Sequence, residues 1–309
     1  MSYVNQRIAY GKTLVELGHK NPNIVVLDAD LGGSTMGKMF EQEFPDRHYE
    51  MGIAEANMTS VAAGLAQAGK IPFTNSFAVF AAGRAYDQIR QTICIGKLNV
   101  KICGSSAGMS DFGDGATHQS VEDVAIMRAI PNMTVLCPAD ANETVEATKA
   151  MAAMQGPCYM RLNRNDLPNV TEEGKPFVIG QPTVLREGAD VAVFAAGCMV
   201  ALALEAAKEL EDRISVRVIN VSTIKPMNPA VIADLCKACR AVVTAEEHSI
   251  VGGLGSAIAE ALRKEMKPID FVGIEDTFGS SAHCYQDVLG YYGLTKEHLI
   301  RTIQEMNAR

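Results

Sequence analysis

The chain has 309 residues, 48% of them hydrophobic and 21% charged, with a formal net charge of −8. This length suits two domains that each bury a core, and no apolar run approaches the roughly 18 to 20 residues that cross a membrane. Without a Lys/Arg-rich run or interleaved aromatic residues, the negative charge argues against nucleic acid or an anionic membrane as a partner and leaves a small-molecule substrate.

Residues 1–20 lack the basic start, apolar centre and small-residue cleavage site of a secretory signal, so we expect a cytoplasmic protein. The eight cysteines are then expected to be reduced thiols. Cys236 and Cys239 form a CxxC, but no second Cys or His pair follows at zinc-ligand spacing. A pair at the edge of the core is therefore favoured over a metal site, and we predict no metal ligands in this chain.

Through the first half of the chain, short apolar runs alternate with segments of helical period. Apolar runs without polar alternation are typical of strands covered on both faces, so we predict a mostly parallel sheet between two helical layers. A predicted helix from residue 54 is rich in Ala and Gly, which permits close approach of a neighbouring element such as another subunit. The predicted strands are 24–30, 47–52, 100–103, 133–138 and 158–162, and the helices 8–18, 54–68, 84–94, 120–130 and 142–154.

Residues 166–186 are rich in Pro, Gly and charge, which predicts a linker between a domain at 1–165 and a second α/β domain at 187–309. Gly252–Gly255 (GGLG) opens a predicted helix, where tight packing is favoured over phosphate binding. The fold class is thus two three-layer α/β/α domains. The predicted strands of the second domain are 190–197, 215–221 and 241–247, and its helices 199–212, 228–239 and 254–266.

Two side chains stand out as candidates for chemistry. Glu55 follows a predicted strand, at the edge where open α/β sheets place ligands. Its spacing alone nevertheless favours a helix N-terminal carboxylate that offsets the macrodipole. His118 lies in a loop rich in Gly, Ser and Asp, where acid–base work and a structural role are about equally supported.

Four strings occur in order along the chain: DADLGGS (28–34), GIAEANMTSVAAGLAQAGKIPF (52–73), SFAVFAAGRAYDQIR (76–90) and GDGATHQSVEDVAIMRAIPN (113–132). With the later IKPMNP, AEEHSIVGGLGSAIAEAL and YYGLTKEHLIRTI, they resemble the pyrimidine-binding and C-terminal domains of transketolases over nearly the whole chain. The resemblance implies thiamine diphosphate as cofactor and transfer of a two-carbon ketol unit from a ketose phosphate to an aldose phosphate. Deoxyxylulose-phosphate synthase and the beta subunits of 2-oxoacid dehydrogenases of the pyruvate dehydrogenase class are resembled less closely.

The resemblance also implies roles for single residues. Glu55 matches the glutamate that hydrogen-bonds the aminopyrimidine ring of the cofactor. Phe77 and Phe80 match the apolar wall that stacks on that ring, although a plain core pair at this spacing is the alternative. Asp114 and His118 match the family's substrate-contacting aspartate and histidine, and His118 is the stronger candidate for proton transfer.

Three further residues match positions that bind the sugar phosphate in transketolases. They are Arg7, Ser34 and Arg164, and Asp30 is expected to orient Arg7. Without the resemblance, each arginine is better interpreted as a solvated surface charge. Their placement at the ends of loops allows all three to converge on one phosphate.

The resemblance covers the half of a transketolase that binds the pyrimidine ring. We therefore expect a partner, an N-terminal-type transketolase subunit, to bind the diphosphate and its Mg²⁺ or Ca²⁺, and the present chain to be inactive without it. Contact between two copies of each subunit, a heterotetramer, is expected from the paired active site.

Several points stay open in the sequence. The GDG at 113–115 has no Asn at the spacing of the family's metal-binding motif. One residue more than in some transketolases separates Phe80 from Arg84. The loop 105–115 offers serines where many transketolases place a histidine, which leaves the donor sugar and a pentose-phosphate or catabolic role undecided. A non-catalytic homologue is the remaining alternative, because fold alone does not establish function.

Overall fold

The computed structural model describes residues 3–309. Seven strands of this range form the N-terminal sheet, in the order β12-β6-β7-β5-β4-β2-β3, where β12 (Thr223–Lys225) comes from the C-terminal half. All neighbours except β12 and β6 run parallel. Two short strands, β1 and β8, pair antiparallel outside this sheet. The strands of the N-terminal half are β1 (Tyr3–Asn5), β2 (Ile24–Asp28), β3 (His48–Glu50), β4 (Ile71–Phe77), β5 (Lys101–Ser105), β6 (Thr134–Leu136), β7 (Cys158–Arg161) and β8 (Asp166–Pro168).

Helices cover both faces of this sheet, because the side chains of each strand alternate between two apolar layers. Ile24 and Val26 belong to a core with α1, α3 and α7, whereas Val25 and Leu27 belong to a core with α4, α6 and the helical segment 79–94. The helices are α1 (Gln6–Lys20), α2 (Gly32–Thr35), α3 (Gly37–Glu43), α4 (Glu55–Gln67), α5 (Tyr86–Gln88), α6 (Asp123–Ala129) and α7 (Ala141–Ala153), with π-helical turns at Val79–Arg84 and Ile89–Cys94 and 3₁₀ turns at Pro45–Arg47 and Gly115–Thr117.

The C-terminal sheet has the order β14-β13-β10-β11-β9, with only β9 antiparallel to its neighbour. Helices α8 and α12 cover one face, and α9 and α10 cover the other. Both halves are therefore three-layer α/β/α domains, as predicted. The elements are β9 (Thr183–Arg186), β10 (Val191–Ala195), α8 (Met199–Glu209), β11 (Val216–Asn220), β12 (Thr223–Lys225), α9 (Pro229–Leu235), β13 (Ala241–Ser249), α10 (Leu254–Ala261), β14 (Ile269–Ile274), α11 (Tyr285–Tyr291) and α12 (Lys296–Asn307).

The two halves are joined more closely than a simple linker implies. Strand β12 leaves the C-terminal half and pairs antiparallel with β6, at the edge of the N-terminal sheet. Lys225 at its end donates to the backbone carbonyls of Arg128 and Ile130. The predicted linker 166–186 itself contains β8 and β9. Its extended segments form these strands by pairing with β1 and with β11, respectively. No helix within residues 3–309 is long and apolar enough to cross a membrane.

Candidate active site

The candidate site lies at the carboxyl edge of the N-terminal sheet. Loops that follow β2, β3, β4 and β5 meet there around a cleft of about 330 Å³. A parallel sheet brings the carboxyl ends of its strands to one edge, so residues far apart in sequence converge in this cleft. The residues that line it are Ala29, Asp30, Leu31, Ile53, Glu55, Phe80, Arg84, Thr117 and His118.

Glu55 is the first residue of α4 and is only 3% exposed. Its carboxylate has one side-chain partner in the described part of the chain: Nη1 of Arg84 lies 3.3 Å from Oε1 and 3.5 Å from Oε2. The Arg84 guanidinium also lies over the Phe80 ring, 4.3 Å from its centroid. A carboxylate offers about four acceptor sites, and burial makes an unpaired one costly. Glu55 thus keeps unused acceptor capacity at the wall of the cleft.

Three rings form an aromatic corner beside Glu55. Phe77 ends β4, and its ring is nearly parallel to that of Phe80, with an interplanar angle of 15° and centroids 6.1 Å apart. His118 meets both rings edge-on, at 6.2 Å from Phe77 and 5.4 Å from Phe80. Its Nδ1 lies 2.9 Å from the hydroxyl of Thr117. Phe77 is buried but Phe80 lines the cleft, so the two are not simply a core pair.

Next to the aromatic corner lies a group that we call the arginine pair, Arg7 and Arg164. Nη1 of Arg7 donates to the backbone carbonyl of Ser34 at 2.8 Å, and Nη2 donates to that of Arg164 at 3.0 Å. Burial, together with the charge of Arg164, lowers the pKa of Arg7 to about 10. The Arg164 guanidinium lies 5.9 Å from the centroid of the Phe77 ring. The structure therefore brings together the three residues predicted to bind an anion.

The prediction that Asp30 orients Arg7 is wrong, because Arg7 has other hydrogen-bond partners. Among residues 3–309, the hydrogen bonds of Arg7 go to the carbonyls of Ser34 and Arg164 and, through Nε, to Oδ1 of Asn5 at 3.3 Å. Asp30 is exposed, has a positive φ of 58°, and donates its backbone N–H to Glu50 at 2.8 Å. Asn5 also caps α1, which fixes the start of the helix that carries Arg7. Asn5, and not Asp30, orients Arg7.

Asp111 is a site residue that the sequence did not single out. Its carboxylate is buried and lies 2.5 Å from Nη1 of Arg164. Burial raises the pKa of Asp111, Arg164 lowers it, and the negative charge of the neighbouring Asp114 raises it, with a net increase. Asp114 itself is exposed and lies beside Asp111. The pairing of Asp111 with a residue 53 positions away left no local signal in the sequence.

The loop that carries Asp111 is held by the C-terminal domain. Glu247 on β13 is 5% exposed and accepts hydrogen bonds from the backbone N–H of Met109 at 2.8 Å, Nδ2 of Asn163 at 3.1 Å and Sγ of Cys198 at 3.2 Å. Burial raises the pKa of the Glu247 carboxyl. Gly108 has a φ of +63°, and a Cβ there would lie 2.5 Å from Cδ of Glu247, so this approach requires glycine. Glu247 therefore fixes both ends of the Asp111–Arg164 contact.

The motif at 252–255 is not an open anion site. The carboxylate of Glu246 accepts from the backbone N–H groups of Leu254 at 2.6 Å and Gly255 at 2.8 Å, at the start of α10. An internal carboxylate thus takes the position that a phosphate would occupy. The eight cysteines are free thiols, and no group of three or more His, Cys, Asp or Glu side chains within residues 3–309 is arranged to hold a metal ion.

Comparison with known proteins gives consistent matches. Residues 2–170 match the family model described as transketolase, pyrimidine binding domain, and residues 180–299 match transketolase, C-terminal domain. The chain is 45% identical to a Methanocaldococcus jannaschii protein named "Putative transketolase C-terminal section", over 98% of this chain and 96% of that protein. It is 43% identical to the 6-deoxy-6-sulfo-D-fructose transketolase subunit SqwH of Clostridium sp. (strain MSTE9), over 98% and 94%.

A solved structure described as a split gene transketolase, inactive beta4 tetramer, is similar in fold as well as in sequence. It superposes with a TM-score of 0.91 at 48% identity, and the alignment covers 99% of each chain.

Proposed function

Because this chain belongs to the transketolase family, we propose that it is the subunit of a thiamine-diphosphate-dependent transketolase that provides the pyrimidine side of the active site. The reaction is transfer of a two-carbon ketol unit from a ketose phosphate to an aldose phosphate. One observation carries the proposal: the buried Glu55 carboxylate, the Phe80 ring and His118 line a single cleft, with the arginine pair beside it.

The side chains at the cleft fit the aminopyrimidine ring of this cofactor. Glu55 is buried but keeps acceptor capacity, which suits a partner that carries a ring nitrogen and its proton. Phe80, with Phe77 behind it, offers a flat apolar face of the kind that stacks on a heteroaromatic ring. When bound, thiamine diphosphate supplies a nucleophilic carbon and an electron sink. Glu55 then holds a proton at the ring nitrogen, and Arg84 orients the carboxylate.

The remaining site residues act on the sugar. His118, edge-on to both phenylalanines, is placed to accept and return a proton at a substrate hydroxyl. Asp114 is exposed on the same loop, four residues before His118, and contacts substrate hydroxyls. The arginine pair, with Ser34, binds the phosphate at the far end of the sugar, because guanidinium groups form charge-assisted bonds to phosphate oxygens.

The proposal includes a partner subunit that binds the diphosphate and Mg²⁺ or Ca²⁺. Two findings support it: relatives of similar length are named as a transketolase section and a transketolase subunit, and Ile53 at the cleft is 73% exposed. An apolar side chain left uncovered beside a binding cleft suits contact with another chain. We also propose that two copies of each subunit assemble, since the exposed face of α4, the helix that begins at Glu55, carries the small residues Ser60 and Gly64.

Glu55→Gln is the direct test. The chain, an N-terminal-type partner, thiamine diphosphate, Mg²⁺ and the two sugar phosphates are mixed, and turnover is measured. An amide cannot exchange a proton as a carboxyl does, so we expect kcat to fall by about 100-fold or more. Glu297→Gln is the matched control, because Glu297 is also a first-turn helix carboxylate but is exposed and is not among the residues that line the cleft. Full turnover by Glu55→Gln would reduce Glu55 to a helix-end charge.

A further inference from the structure

The anion-binding part of the site contains its own carboxylate. Asp111 is 2% exposed, and its Oδ2 lies on Nη1 of Arg164. The backbone carbonyl of Asp111 accepts from the N–H of Gly115 at 3.3 Å and from Nε2 of Gln119 at 3.2 Å. Since two donors hold the backbone carbonyl and the side chain is buried, Asp111 has no ready way to turn out into water.

The two arginines differ in how far their donors are used. Arg7 donates three side-chain hydrogen bonds, one to Oδ1 of Asn5 and two to the backbone carbonyls of Ser34 and Arg164. Arg164 donates to Asp111, and its side chain is 35% exposed. A guanidinium has five N–H donors, so Arg164 is the member of the arginine pair that is open to an incoming anion. An anion that binds Arg164 must therefore come close to the negative charge of Asp111, which already contacts this guanidinium.

The charges of this cluster add up to one positive charge, from two guanidinium groups and one carboxylate. A substrate anion that binds Arg164 comes close to Asp111, and the repulsion is twice as large for a doubly charged group as for a singly charged one. Burial, and to a smaller extent the charge of Asp114, raises the pKa of Asp111 against the opposing effect of Arg164.

We propose that Asp111 is a specificity-determining residue, which competes with the substrate anion for Arg164 and so reduces the advantage that a doubly charged end group has over a singly charged one at the arginine pair. This inference rests on the proposed function, because it takes the arginine pair as the place where the anionic end of the substrate binds. It assigns to the 105–115 loop a role in selecting the substrate by charge.

Asp111→Asn is the test, because the amide keeps the shape and an acceptor for Arg164 but removes the charge. Calorimetric titration of the full chain uses two probes: inorganic phosphate, at a pH where it is a dianion, and methanesulfonate, a monoanion. At about 5 Å and an effective dielectric of about 20, removal of the repulsion between two unit charges corresponds to roughly 250-fold in affinity. Because Arg164 is partly exposed, we expect a gain of about tenfold for phosphate and clearly less for methanesulfonate.

Asp166→Asn is the matched control. Asp166, like Asp111, raises the pKa of Arg7, but it is exposed and its carboxylate accepts a hydrogen bond from Asn5. Asp166→Asn should change phosphate affinity by less than about twofold. Asp111→Glu keeps the negative charge and should bind phosphate no more tightly than the native chain. In the reconstituted enzyme, Asp111→Asn should lower KM for the ketose phosphate without a matching change in kcat, which a general structural effect would not produce.

Equal gains for both probes, no gain for phosphate, or the same gain from Asp166→Asn would each overturn the role of Asp111. The proposed function fails separately: Arg164→Gln would then leave both phosphate binding and the KM for the ketose phosphate unchanged. An active enzyme in which Arg164→Gln raises KM and Asp111→Asn has no effect would uphold the function and reject this inference.

Discussion

Replacement of Glu247 by alanine should destabilise the whole chain, because this buried carboxylate joins the two domains. The backbone N–H of Met109 and Nδ2 of Asn163 would each lose an acceptor in the interior. Each unsatisfied buried donor costs about 1 to 3 kcal/mol, or about 2 to 6 kcal/mol for the two. Burial raises the pKa of Glu247, so its removal also relieves some desolvation cost. We expect the free energy of unfolding to fall by about 2 to 4 kcal/mol.

Urea unfolding followed by far-ultraviolet circular dichroism measures this change, since the chain has no tryptophan to report by fluorescence. The exposed Glu265 is the control, and Glu265→Ala should stay within about 0.5 kcal/mol of the native chain. Glu247→Gln keeps one acceptor oxygen and should fall between the two.

A second measurement separates an anchor for the loop from a general core effect. Met109 is two residues from Asp111, and Asn163 adjoins Arg164, so Glu247→Gln should also alter phosphate affinity under conditions where it is fully folded. A loss below about 1 kcal/mol for Glu247→Ala would refute the accounting, because it is less than one unsatisfied buried donor is expected to cost.

Two further predictions follow from other buried contacts. His48 Nε2 lies 2.8 Å from Asp28 Oδ2; burial lowers the pKa of His48, but the hydrogen bond and charge of Asp28 outweigh it and raise the pKa above 6.5. The stability from this pair is then complete below pH 6.5 and is lost as the pH rises through the raised pKa. The difference in unfolding free energy between the native chain and His48→Gln should therefore shrink as the pH rises above 6.5, and a constant difference would contradict this. Glu246→Ala leaves the N–H groups of Leu254 and Gly255 without their acceptor and should lower the unfolding free energy by about 1 to 3 kcal/mol. A change below about 0.5 kcal/mol in the same urea assay would mean that water takes the place of the Glu246 carboxylate at the start of α10.

The sequence was sufficient for most of the architecture, because apolar runs mark the buried parallel strands. Strand β4 is the instructive failure. Its sequence, IPFTNSF, places Thr74, Asn75 and Ser76 in the buried centre of the sheet, where an apolar run is the usual signal. Asn75 is tolerated there because its Oδ1 accepts from the hydroxyl of Tyr10 at 2.7 Å. Within residues 3–309, Nδ2 of Asn75 and Oγ of Ser76 have no hydrogen-bond partner. A polar strand whose one side-chain contact lies on a distant helix leaves no period for sequence analysis to detect.

The candidate site shows the same limit. Glu55 and His118 lie in short motifs that resemble those of transketolases, and this resemblance, more than their spacing, made them candidates. Asp111 and Glu247 act through partners from other parts of the chain, 53 residues away for Arg164 and 138 for Met109. Asp30 failed for a related reason: nearness in a loop suggested a contact with Arg7 that a left-handed backbone directs elsewhere.

Strand β12 has a consequence for chimeras between members of this family. A crossover placed in the segment 166–186 would join the N-terminal sheet of one parent to an edge strand from the other, at the Thr223–Leu136 and Lys225–Val135 register. It would also place the lysine of one parent against the carbonyls at Arg128 and Ile130 of the other. Without a matching strand, β6 becomes a bare edge open to pairing with other chains. A chimera should therefore take the N-terminal half and residues 223–225 from the same parent, although these two parts are not contiguous in the sequence.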